Sequence, residues 1–265
     1  MKRMLTVLMV LVMLTVSCAF AETLRVGMEC NYAPFNWTQV DEGENGIALA
    51  GGGYADGYDV RIAQKVAEYL GYDLEIVKTE WDGLIPSLTT GAIDCIIAGM
   101  SPTDERLLTI DFSDPYYESD LVIVVQKDGA YANATSLADF TGAKIVGQQG
   151  TFHDTVIDQI PDVKHQPPMD TFPTMIVAVS SGAVDGYVSE RPGAESAVAT
   201  NPNLTFIAFA DGNGFEADPA DTTIAVGVAK NSELTAKINE ALATISEEER
   251  VQIMADALAA QPSAE

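Results

Sequence analysis

Ser101 and Arg106 are the residues of this chain whose types and spacing point most directly to chemistry. Both stand in the run Ser-Pro-Thr-Asp-Glu-Arg, which follows the apolar segment 93–100. The pattern predicts a strand buried on both faces, then a helix with Ser101 as N-cap, Pro102 as first helical residue and Asp104 as a capping acid. Free N–H groups at a helix start and a forked guanidinium both favour an anion. The segment therefore predicts an anion site at the carboxyl end of a strand, where open α/β sheets bind ligands.

A simpler interpretation of the same residues stays open at this point. Ser101 would only cap its own helix, and Arg106 would form a surface ion pair with Asp104 or Glu105. N-cap signals are common, so the six-residue run alone does not choose between a cap and an anion site. The surrounding sequence has to decide.

The elements that must position these residues alternate between strands and helices. Apolar residues at helical spacing predict the helices, and glycines end them at Gly71, Gly91 and Gly182. Asp59 and Asp82 are predicted as N-caps of two of these helices. The predicted strands are residues 24–28, 74–78, 93–100, 119–126, 144–148, 184–188 and 223–230, and residues 204–210 are predicted as a return crossing. The further predicted helices begin near residues 101, 152, 171, 232 and 247, and residues 40–57 are predicted as a surface loop. Such alternation is typical of an α/β protein with parallel sheets.

One short sequence occurs twice in nearly the same form. Residues 90–94 are Thr-Gly-Ala-Ile-Asp and residues 181–185 are Ser-Gly-Ala-Val-Asp, each between a predicted helix and a predicted buried strand. The repetition favours two similar α/β lobes that face each other. Since joints between a helix, a glycine and a strand converge on similar residues, independent origin of so short a match stays open.

The first 21 residues are predicted as an export signal. Lys2 and Arg3 precede the apolar segment 4–16, which is too short to span a membrane comfortably, and Ala-Phe-Ala at 19–21 forms a cleavage site. The mature chain is therefore expected to be exported and periplasmic. A lipid anchor through Cys18 on the outer face of the membrane is the alternative, because the residues before it form an imperfect lipobox.

The chain is strongly acidic, with a formal net charge of −25 over 265 residues. This charge disfavours nucleic acid and anionic membrane surfaces as partners and mainly indicates solubility. The acidic residues are dispersed, which argues against a disordered acidic tail. The length suffices for one large domain or two domains of medium size.

Cysteine and histidine usage predicts neither a disulfide nor a metal site. Cys30 falls at the end of the first predicted strand and Cys95 near the start of a strand expected to run parallel beside it. At about 3.3 Å per residue, this offset separates the two thiols beyond bridging distance. The two histidines, His153 and His165, form no cluster with metal-ligand spacing. No cofactor is expected.

Three segments resemble the polar amino-acid-binding proteins of the bacterial extracellular solute-binding protein family 3, which serve ABC importers. They are WDGLIPSL at 81–88, GAIDCIIAGMSPTDER at 91–106 and DFSDPYY at 111–117. The resemblance extends over essentially the whole mature chain and is weakest at 39–56. It implies an α/β fold of the two-lobe, periplasmic-binding-protein type (type II), with two chain crossings between the lobes and the ligand cleft between them. Lobe 1 would comprise residues 22–118 and 210–265, and lobe 2 would comprise residues 119–209.

The resemblance also implies which groups hold the zwitterion of an amino acid. Arg106 and the N–H groups near Ser101 match the site of the α-carboxylate. The Gly99 carbonyl, the Ser101 hydroxyl and the Glu190 carboxylate match the site of the ammonium, which needs such partners because a buried unpaired cation is costly. The family usually has an aspartate at the Glu190 position. The longer glutamate implies a slightly different ligand position, unless Arg191 diverts it into a local ion pair.

Lobe 2 matches further ligand positions of the family. Residues 149–152, which include Thr151 and Phe152, match a second carboxylate-binding turn, although Thr151 could equally be a simple N-cap. Gln148 and His153 match positions that touch the ligand side chain. An isolated histidine such as His153 is also typical of a solvated helix residue, and that alternative stays open.

Glu29, Tyr32 and Trp81 are expected to select the ligand side chain. In the family, the first acid after strand one meets the distal polar group of the ligand, and aromatic residues at the other two positions enclose its aliphatic stem. Trp81 could instead belong to the core. An acid with two aromatic faces suits a cation, and it also suits the amide of glutamine.

The sequence therefore predicts a receptor for a polar L-amino acid, with lysine, arginine or histidine favoured over glutamine. The receptor would close around the free amino acid and deliver it to the membrane permease of an ABC importer, as a monomer and without chemistry. Two alternatives belong to other classes. One is a dehydratase-type periplasmic enzyme on the same scaffold, with Glu29 or His153 as acid or base, and the other is an amino-acid sensor domain.

Overall fold

The computed structural model of the protein describes residues 22–262. The predicted export signal, with Cys18 in it, lies outside these residues. The described strands are β1 Thr23–Met28, β2 Asn31–Tyr32, β3 Asn36–Gln39, β4 Ile47–Ala48, β5 Tyr54–Asp56, β6 Asp73–Lys78, β7 Cys95–Ile96, β8 Ile110–Glu118, β9 Leu121–Gln126, β10 Lys144–Val146, β11 Lys164–His165, β12 Gly186–Glu190, β13 Leu204–Ile207 and β14 Thr223–Ala229. The described α-helices are α1 Tyr58–Leu70, α2 Leu84–Thr89, α3 Asp104–Leu107, α4 Phe152–Thr155, α5 Phe172–Ser180, α6 Arg191–Thr200, α7 Pro219–Thr222, α8 Leu234–Ala243 and α9 Glu247–Ala260.

Two five-stranded sheets contain most of the strands. The first has the order β6-β1-β7-β14-β8, in which β6, β1 and β7 are parallel and β14 is antiparallel to both neighbours. The second has the order β11-β10-β12-β9-β13, in which β11, β10 and β12 are parallel and β9 is antiparallel to both neighbours. The α/β class is confirmed. The sheets are mixed rather than wholly parallel. Strand β9 is the first strand after the chain passes to the second sheet, β14 is the strand that follows its return to the first, and each runs antiparallel to its neighbours.

A third sheet forms where a surface loop was expected. Strands β2, β3, β5 and β4 pair in this order, and the last two lie within residues 40–57. The expectation of a plain loop there is wrong. Strands of two to four residues are too short to show the alternation of apolar and polar residues that marks a strand in sequence.

Two longer elements have no clear sequence signal. Strand β8 contains Pro115, and its pairing with β14 is irregular next to that residue, so its sequence does not alternate regularly. Helix α6 begins with Arg-Pro-Gly, and a glycine in the first turn disfavours a helix prediction.

The segment around Ser101 differs from its prediction. The buried run 93–100 pairs as a strand only over Cys95–Ile96. Ser101 is not the N-cap of α3; Thr103 is, and its hydroxyl accepts a hydrogen bond from the Arg106 N–H at 3.4 Å. A residue before proline is disfavoured in helical conformation, and Ser101 precedes Pro102. Helix α3 therefore starts later and has only 4 residues.

Two aspartates predicted as N-caps have other partners. Helix α1 follows Gly57, while Asp59 lies inside its first turn with a fully buried carboxylate. Helix α2 follows Gly83, and Asp82 lies in a preceding 3-10 turn, where it bonds to Gln149 of the second sheet's side. Both side chains are used in tertiary contacts, which a local sequence pattern does not show. The predicted ends at Gly71 and Gly91 agree with the left-handed conformation of both glycines.

The positions of the two described cysteines agree with those predicted from the sequence. Val26 of β1 lies opposite Cys95 of β7, which confirms the predicted parallel offset, and both Cys30 and Cys95 are free and buried. Burial raises the pKa of the Cys30 thiol to about 12. Among residues 22–262 no helix combines the length and the apolar character that crossing a membrane requires.

Candidate functional site

Residues from the two large sheets meet around one small cavity. Its lining contains eight of the residues predicted from sequence, together with His153 and Phe172: Tyr32, Trp81, Gly99, Ser101, Arg106, Gln148, Thr151 and Phe152. The two remaining predicted residues, Glu29 and Glu190, are buried behind it and hydrogen-bond to lining residues. The cavity has a volume of only about 10 Å³, close to the room of a single water molecule. An amino acid therefore enters only if the two sheets move apart or lining side chains turn away.

Arg106 is a buried cation that reaches across from the first sheet to the second. Its Nη1 donates to the Ser101 carbonyl at 2.9 Å, and its Nη2 donates to the Gly150 carbonyl at 3.0 Å. The guanidinium lies over the Trp81 ring, 5.2 Å from the ring centroid, and burial lowers the pKa of Arg106 to about 10. The alternative, a surface ion pair of Arg106 with Asp104 or Glu105, is therefore wrong. A guanidinium that is hydrogen-bonded only to neutral carbonyls keeps an uncompensated charge and can still bind an anion.

Glu190 is the buried acid on the opposite side. Its Oε2 accepts a hydrogen bond from the Tyr32 hydroxyl and lies 2.9 Å from His153 Nε2. Burial would raise the pKa of the Glu190 carboxyl, but the His153 imidazole and the Tyr32 hydroxyl stabilise the carboxylate, and the pKa lies below its ordinary value. Arg191 does not divert this acid, because Arg191 forms its ion pair with Asp120.

Glu29 is a buried acid at the carboxyl end of β1. Its Oε2 accepts from Gln148 Nε2 at 3.2 Å, while its Oε1 has no hydrogen-bond partner within residues 22–262. Burial raises the pKa of Glu29 to about 7, and the Gln148 hydrogen bond opposes that shift. An ionisable oxygen left without a partner in a buried position is a place for a donor from a ligand.

The turn at 148–151 belongs to the second sheet's side. Gly150 has φ of 68°, which a residue with a side chain rarely adopts. Thr151 stands at the N-cap position of α4, but its side chain does not cap the helix; its hydroxyl donates to the Gln148 carbonyl at 2.8 Å. The same hydroxyl lies 3.2 Å from His153 Nδ1. Thr151 is therefore the N-cap of α4 by position, but its hydroxyl bonds within the turn and not to the helix.

Aromatic rings form the walls of the cavity. Tyr32 stacks on Phe172 with ring centroids 4.0 Å apart, and Phe152 stacks on His153 at 4.4 Å. At Gly99, with φ of 62°, an added Cβ would stand 3.1 Å from the Tyr32 ring. A side chain at that position would push Tyr32 aside, so glycine maintains the close approach.

Three features of this site have no reliable signal in the sequence. His153 is only 4% exposed, so the expectation of a solvated helix residue is wrong. Phe172, at the start of α5, packs against Tyr32 of the other sheet's side. Asp82 accepts a hydrogen bond from Gln149 Nε2 at 2.9 Å, which joins the two sides at the surface. Each depends on a partner far along the chain.

Two larger cavities have different linings, and the smaller of these two shares Arg106, Thr151 and Phe152 with the site. One of about 690 Å³ is lined by residues of α1 and α9 and includes none of the predicted site residues. Another, of about 550 Å³, opens beside Arg106 and has an acidic rim that includes Asp104, Asp154, Asp218 and Asp221. Within residues 22–262 no three His, Cys, Asp or Glu side chains are grouped as a metal ion requires.

Solved structures with this arrangement include amino-acid-binding proteins. An amino acid ABC transporter substrate-binding protein from Streptococcus pneumoniae, solved with L-arginine bound, superposes with a TM-score of 0.77 and 26% identity, covering 89% of this chain and 94% of that one. The fold is therefore the two-lobe, type II fold of periplasmic amino-acid-binding proteins, with a cleft between the lobes.

The sequence comparisons give the family. Residues 24–257 match the profile of the bacterial extracellular solute-binding proteins, family 3, and the chain belongs to that family. The ABC transporter arginine-binding protein 1 of Escherichia coli is 27% identical over 91% of this chain and 93% of its own length. A Campylobacter jejuni protein named as a probable histidine-binding protein is 31% identical over 69% of this chain and 65% of its own length.

Proposed function

We propose that this protein is a receptor for a polar L-α-amino acid, that a cationic side chain is favoured, and that it delivers its ligand to the membrane permease of an ABC importer. The observation that carries the proposal is the pair of opposite buried charges on opposite sides of one cavity. Arg106 lies on α3, on the side of the first sheet, and Glu190 ends β12 of the second sheet, and each is at most 9% exposed. A zwitterion supplies a counter-charge to both, because its carboxylate can pair with Arg106 and its ammonium with Glu190.

The ligand carboxylate would lie on Arg106 and near Ser101. Because α3 has only 4 residues, its dipole is weak, and the guanidinium supplies most of this attraction. The N–H groups of the turn at 149–152 would complete the carboxylate site from the second lobe. The ammonium would replace the Tyr32 hydroxyl at Glu190 and donate further hydrogen bonds to the Gly99 carbonyl and the Ser101 hydroxyl.

The ligand side chain would extend toward Glu29 and Gln148, between the rings of Tyr32 and Trp81. The unpartnered Glu29 Oε1 favours a donor group on the ligand, and aromatic faces favour a cation. Lysine, arginine and histidine carry both features, and glutamine carries only the donor. Relatives of this chain are named for arginine and for histidine, which supports a cationic ligand.

Closure of two lobes would trap the ligand. We place the lobe boundaries at residues 22–118 with 210 onward, and at 119–209, where the chain passes between the sheets. The Arg106–Gly150 and Asp82–Gln149 hydrogen bonds join the lobes in the closed form. Because both lobes contribute ligand contacts only when closed, the ligand favours that form. The closed form would dock on the permease as a monomer outside the cytoplasmic membrane, after export.

Binding without chemistry is the function that these contacts favour. Glu29 and His153 are the groups that an enzyme on this scaffold would use as acid or base. His153 is held by Glu190 and Thr151, and one Glu29 oxygen by Gln148, while the other Glu29 oxygen is assigned to the ligand side chain.

The test is a calorimetric screen of the mature protein against the common L-amino acids, with mass analysis of any ligand that copurifies. We expect saturable binding of at least one cationic amino acid and no change in the recovered ligand. If no amino acid binds and a substrate is instead turned over, the receptor proposal is wrong and the enzyme alternative replaces it.

A further inference from the structure

Asp59 is a fully buried acid that lies outside the lining of the ligand cavity. It belongs to the first turn of α1, where the helix dipole favours a negative charge. Its Oδ2 accepts a hydrogen bond from Asn36 Nδ2 at 2.7 Å, and its Oδ1 accepts one from the Tyr116 hydroxyl at 2.7 Å. The carboxylate is therefore the common acceptor of two separate side chains, which come from β3 and β8.

The first branch ends at the residue after Glu29. Asn36 Oδ1 accepts a hydrogen bond from the Cys30 N–H at 2.7 Å. A backbone N–H only donates and a carboxylate only accepts, so the orientation of the Asn36 amide between them is fixed. Cys30 has φ of 57°, an unfavourable conformation for a residue with a Cβ, and this hydrogen bond holds it there. The conformation of Cys30 sets the direction of the loop directly after Glu29, toward Tyr32.

The second branch ends two residues before Ser101. The Tyr116 hydroxyl, which donates to Asp59, accepts a hydrogen bond from the Gly99 N–H at 3.3 Å. Gly99 has φ of 62°, and its backbone forms the turn from β7 toward Ser101. The donor directions are the same as in the first branch: a backbone N–H, then a side chain, then Asp59. One carboxylate thus accepts, through one side chain each, from the ends of two adjacent parallel strands.

We propose that Asp59 is a positioning residue for amino-acid binding, which holds the loops after β1 and β7 at a fixed spacing through Asn36 and Tyr116. The loop after β1 carries Glu29 and Tyr32, and the loop after β7 carries Gly99 and Ser101. The inference rests on the proposed function, since these are the groups assigned to the ligand. A purely structural Asp59 would contribute to stability and leave the affinity of the folded protein unchanged.

The first variant is Asp59→Asn. An amide offers one acceptor oxygen and one donor nitrogen, so it satisfies one branch and presents a donor to the other. The affinity of the folded variant for the tightest-binding amino acid should fall by about tenfold or more, the loss typical of one hydrogen bond to a charged group. Tyr116→Phe removes only the second branch and should cause a smaller loss, which keeps the test available if Asp59→Asn does not fold.

The second variant reverses the pair, with Asn36→Asp and Asp59→Asn together. An amide at 59 then donates to a carboxylate at 36 and still accepts from the Tyr116 hydroxyl, while the carboxylate at 36 still accepts from the Cys30 N–H. Every hydrogen bond and the net charge are kept, so most of the lost affinity should return. The control is Ile238→Ala, which removes buried side chain from α8 in the same lobe and should lower the melting temperature without changing affinity.

Calorimetry and thermal denaturation of these variants separate the possible outcomes. Lower affinity in Asp59→Asn and Tyr116→Phe, with recovery in the reversed pair, supports the proposal. Unchanged affinity in folded Asp59→Asn, or a folded reversed pair that stays as weak as Asp59→Asn, overturns it. If the wild type binds no amino acid, the proposed function itself fails, and the positioning role fails with it.

Discussion

The two five-stranded sheets share one arrangement in space but contain their strands in a different chain order. In each, three parallel strands come first, and one strand in the reverse direction and one in the original direction follow: β6-β1-β7-β14-β8 against β11-β10-β12-β9-β13. The antiparallel neighbour is the last strand of the chain in the first sheet, β14, and the earliest strand in the second, β9. The two sheets therefore have the same pattern of strand directions. The two passages of the chain between the sheets determine which strand of the chain occupies each position.

The repeated sequence forms the same joint in both lobes. Gly91 and Gly182 both have φ of 75°. The N–H of Asp94 donates to the Arg25 carbonyl at 2.8 Å, and the N–H of Asp185 donates to the Lys144 carbonyl at 2.8 Å. In return, each aspartate side chain accepts the backbone N–H of that same strand residue, again at 2.8 Å in both lobes. The similarity predicted from ten residues of sequence thus extends to individual hydrogen bonds.

The lobes differ at the opposite edge, where the strands end. The first lobe places the Arg106 guanidinium there, together with the Glu29 carboxylate, and the second places the Glu190 carboxylate. The amino edges keep the shared joints, and the carboxyl edges carry different charges. One scaffold can therefore present complementary groups to the two ends of a zwitterion, and single substitutions can test whether each edge does so.

Removal of Arg106 should have the largest effect. Arg106→Ala deletes two charge-assisted hydrogen bonds to the ligand carboxylate, each worth about 1.5–3 kcal/mol, so affinity should fall by at least about a hundredfold. Calorimetry measures the loss. The matched control is Arg25→Ala, which removes the same charge from the amino edge of the same sheet, where Arg25 pairs with Asp94, and should leave affinity unchanged. Equal losses in both variants would contradict a local role for Arg106.

Neutralisation of Glu190 tests the other lobe. Glu190→Gln leaves the ligand ammonium without its buried counter-charge, which should cost about 2–5 kcal/mol of binding free energy. Glu195→Gln, on the outer part of α6, removes the same charge without reaching the cavity and serves as control. An affinity of Glu190→Gln within twofold of the wild type would remove Glu190 from the ammonium site.

Glu29 should determine ligand class more than affinity in general. Glu29→Gln keeps shape and acceptor capacity but deletes the charge, so affinity for arginine or lysine should fall by about 1.5–3 kcal/mol, and affinity for glutamine should fall less. Titrations of wild type and variant with both kinds of ligand give the comparison. A wild type that prefers glutamine and ignores the cationic amino acids would contradict the cationic preference while leaving the receptor function intact.

The pH dependence of binding offers a second measure of Glu29. Burial raises the pKa of this carboxyl to about 7, so it is partly protonated in the free protein near neutral pH. A cation binds the ionised form, and affinity for arginine should therefore rise with pH, by roughly tenfold between pH 6 and pH 8. Glu29→Gln should lose most of this dependence, and the remainder should be confined to the lower end of the interval, where burial raises the pKa of Asp59 to about 6. A wild type whose arginine affinity falls as pH rises would contradict the assignment.

The joints should show the smallest and most symmetric effects. Gly91→Ala and Gly182→Ala each place a Cβ in a left-handed residue, which costs about 1–2 kcal/mol. No neighbouring atom lies within 4 Å of the added Cβ at Gly91, and at Gly182 the Gln126 amide lies at 3.5 Å. Both variants should therefore lose similar free energy of unfolding and keep their affinity. If one variant loses several times more free energy of unfolding than the other, the two copies of the repeat do not contribute equally to stability.

The parts of this fold that the sequence predicts are those with local causes. The strand 24–28, the helix ends at Gly71 and Gly91, and the start of α5 at Thr171 follow from apolar spacing and backbone preferences of single residues. The N-caps at Asp59 and Asp82 were wrong because these side chains bond to distant residues instead. Local spacing carries no information about such partners.

The candidate site divides in the same way. Arg106 and Ser101 follow from a six-residue run and its resemblance to a family, and the cavity contains both. His153 could not be assigned, because its burial depends on Glu190 and on stacking with Phe152. The contact of Phe172 with Tyr32 joins the two lobes and exists only in the assembled cleft.

The most direct test of the central claim, that the lobes hold opposite ends of one zwitterion, is a cycle of two ligands and two proteins. L-Arginine and agmatine share side chain and amine, but agmatine has no carboxylate. Calorimetry should show that the wild type prefers arginine by at least about a hundredfold, and that Arg106→Ala loses this preference while binding agmatine as the wild type does. If Arg106→Ala weakens both ligands equally and keeps the preference for arginine, Arg106 does not hold the carboxylate and the account is wrong.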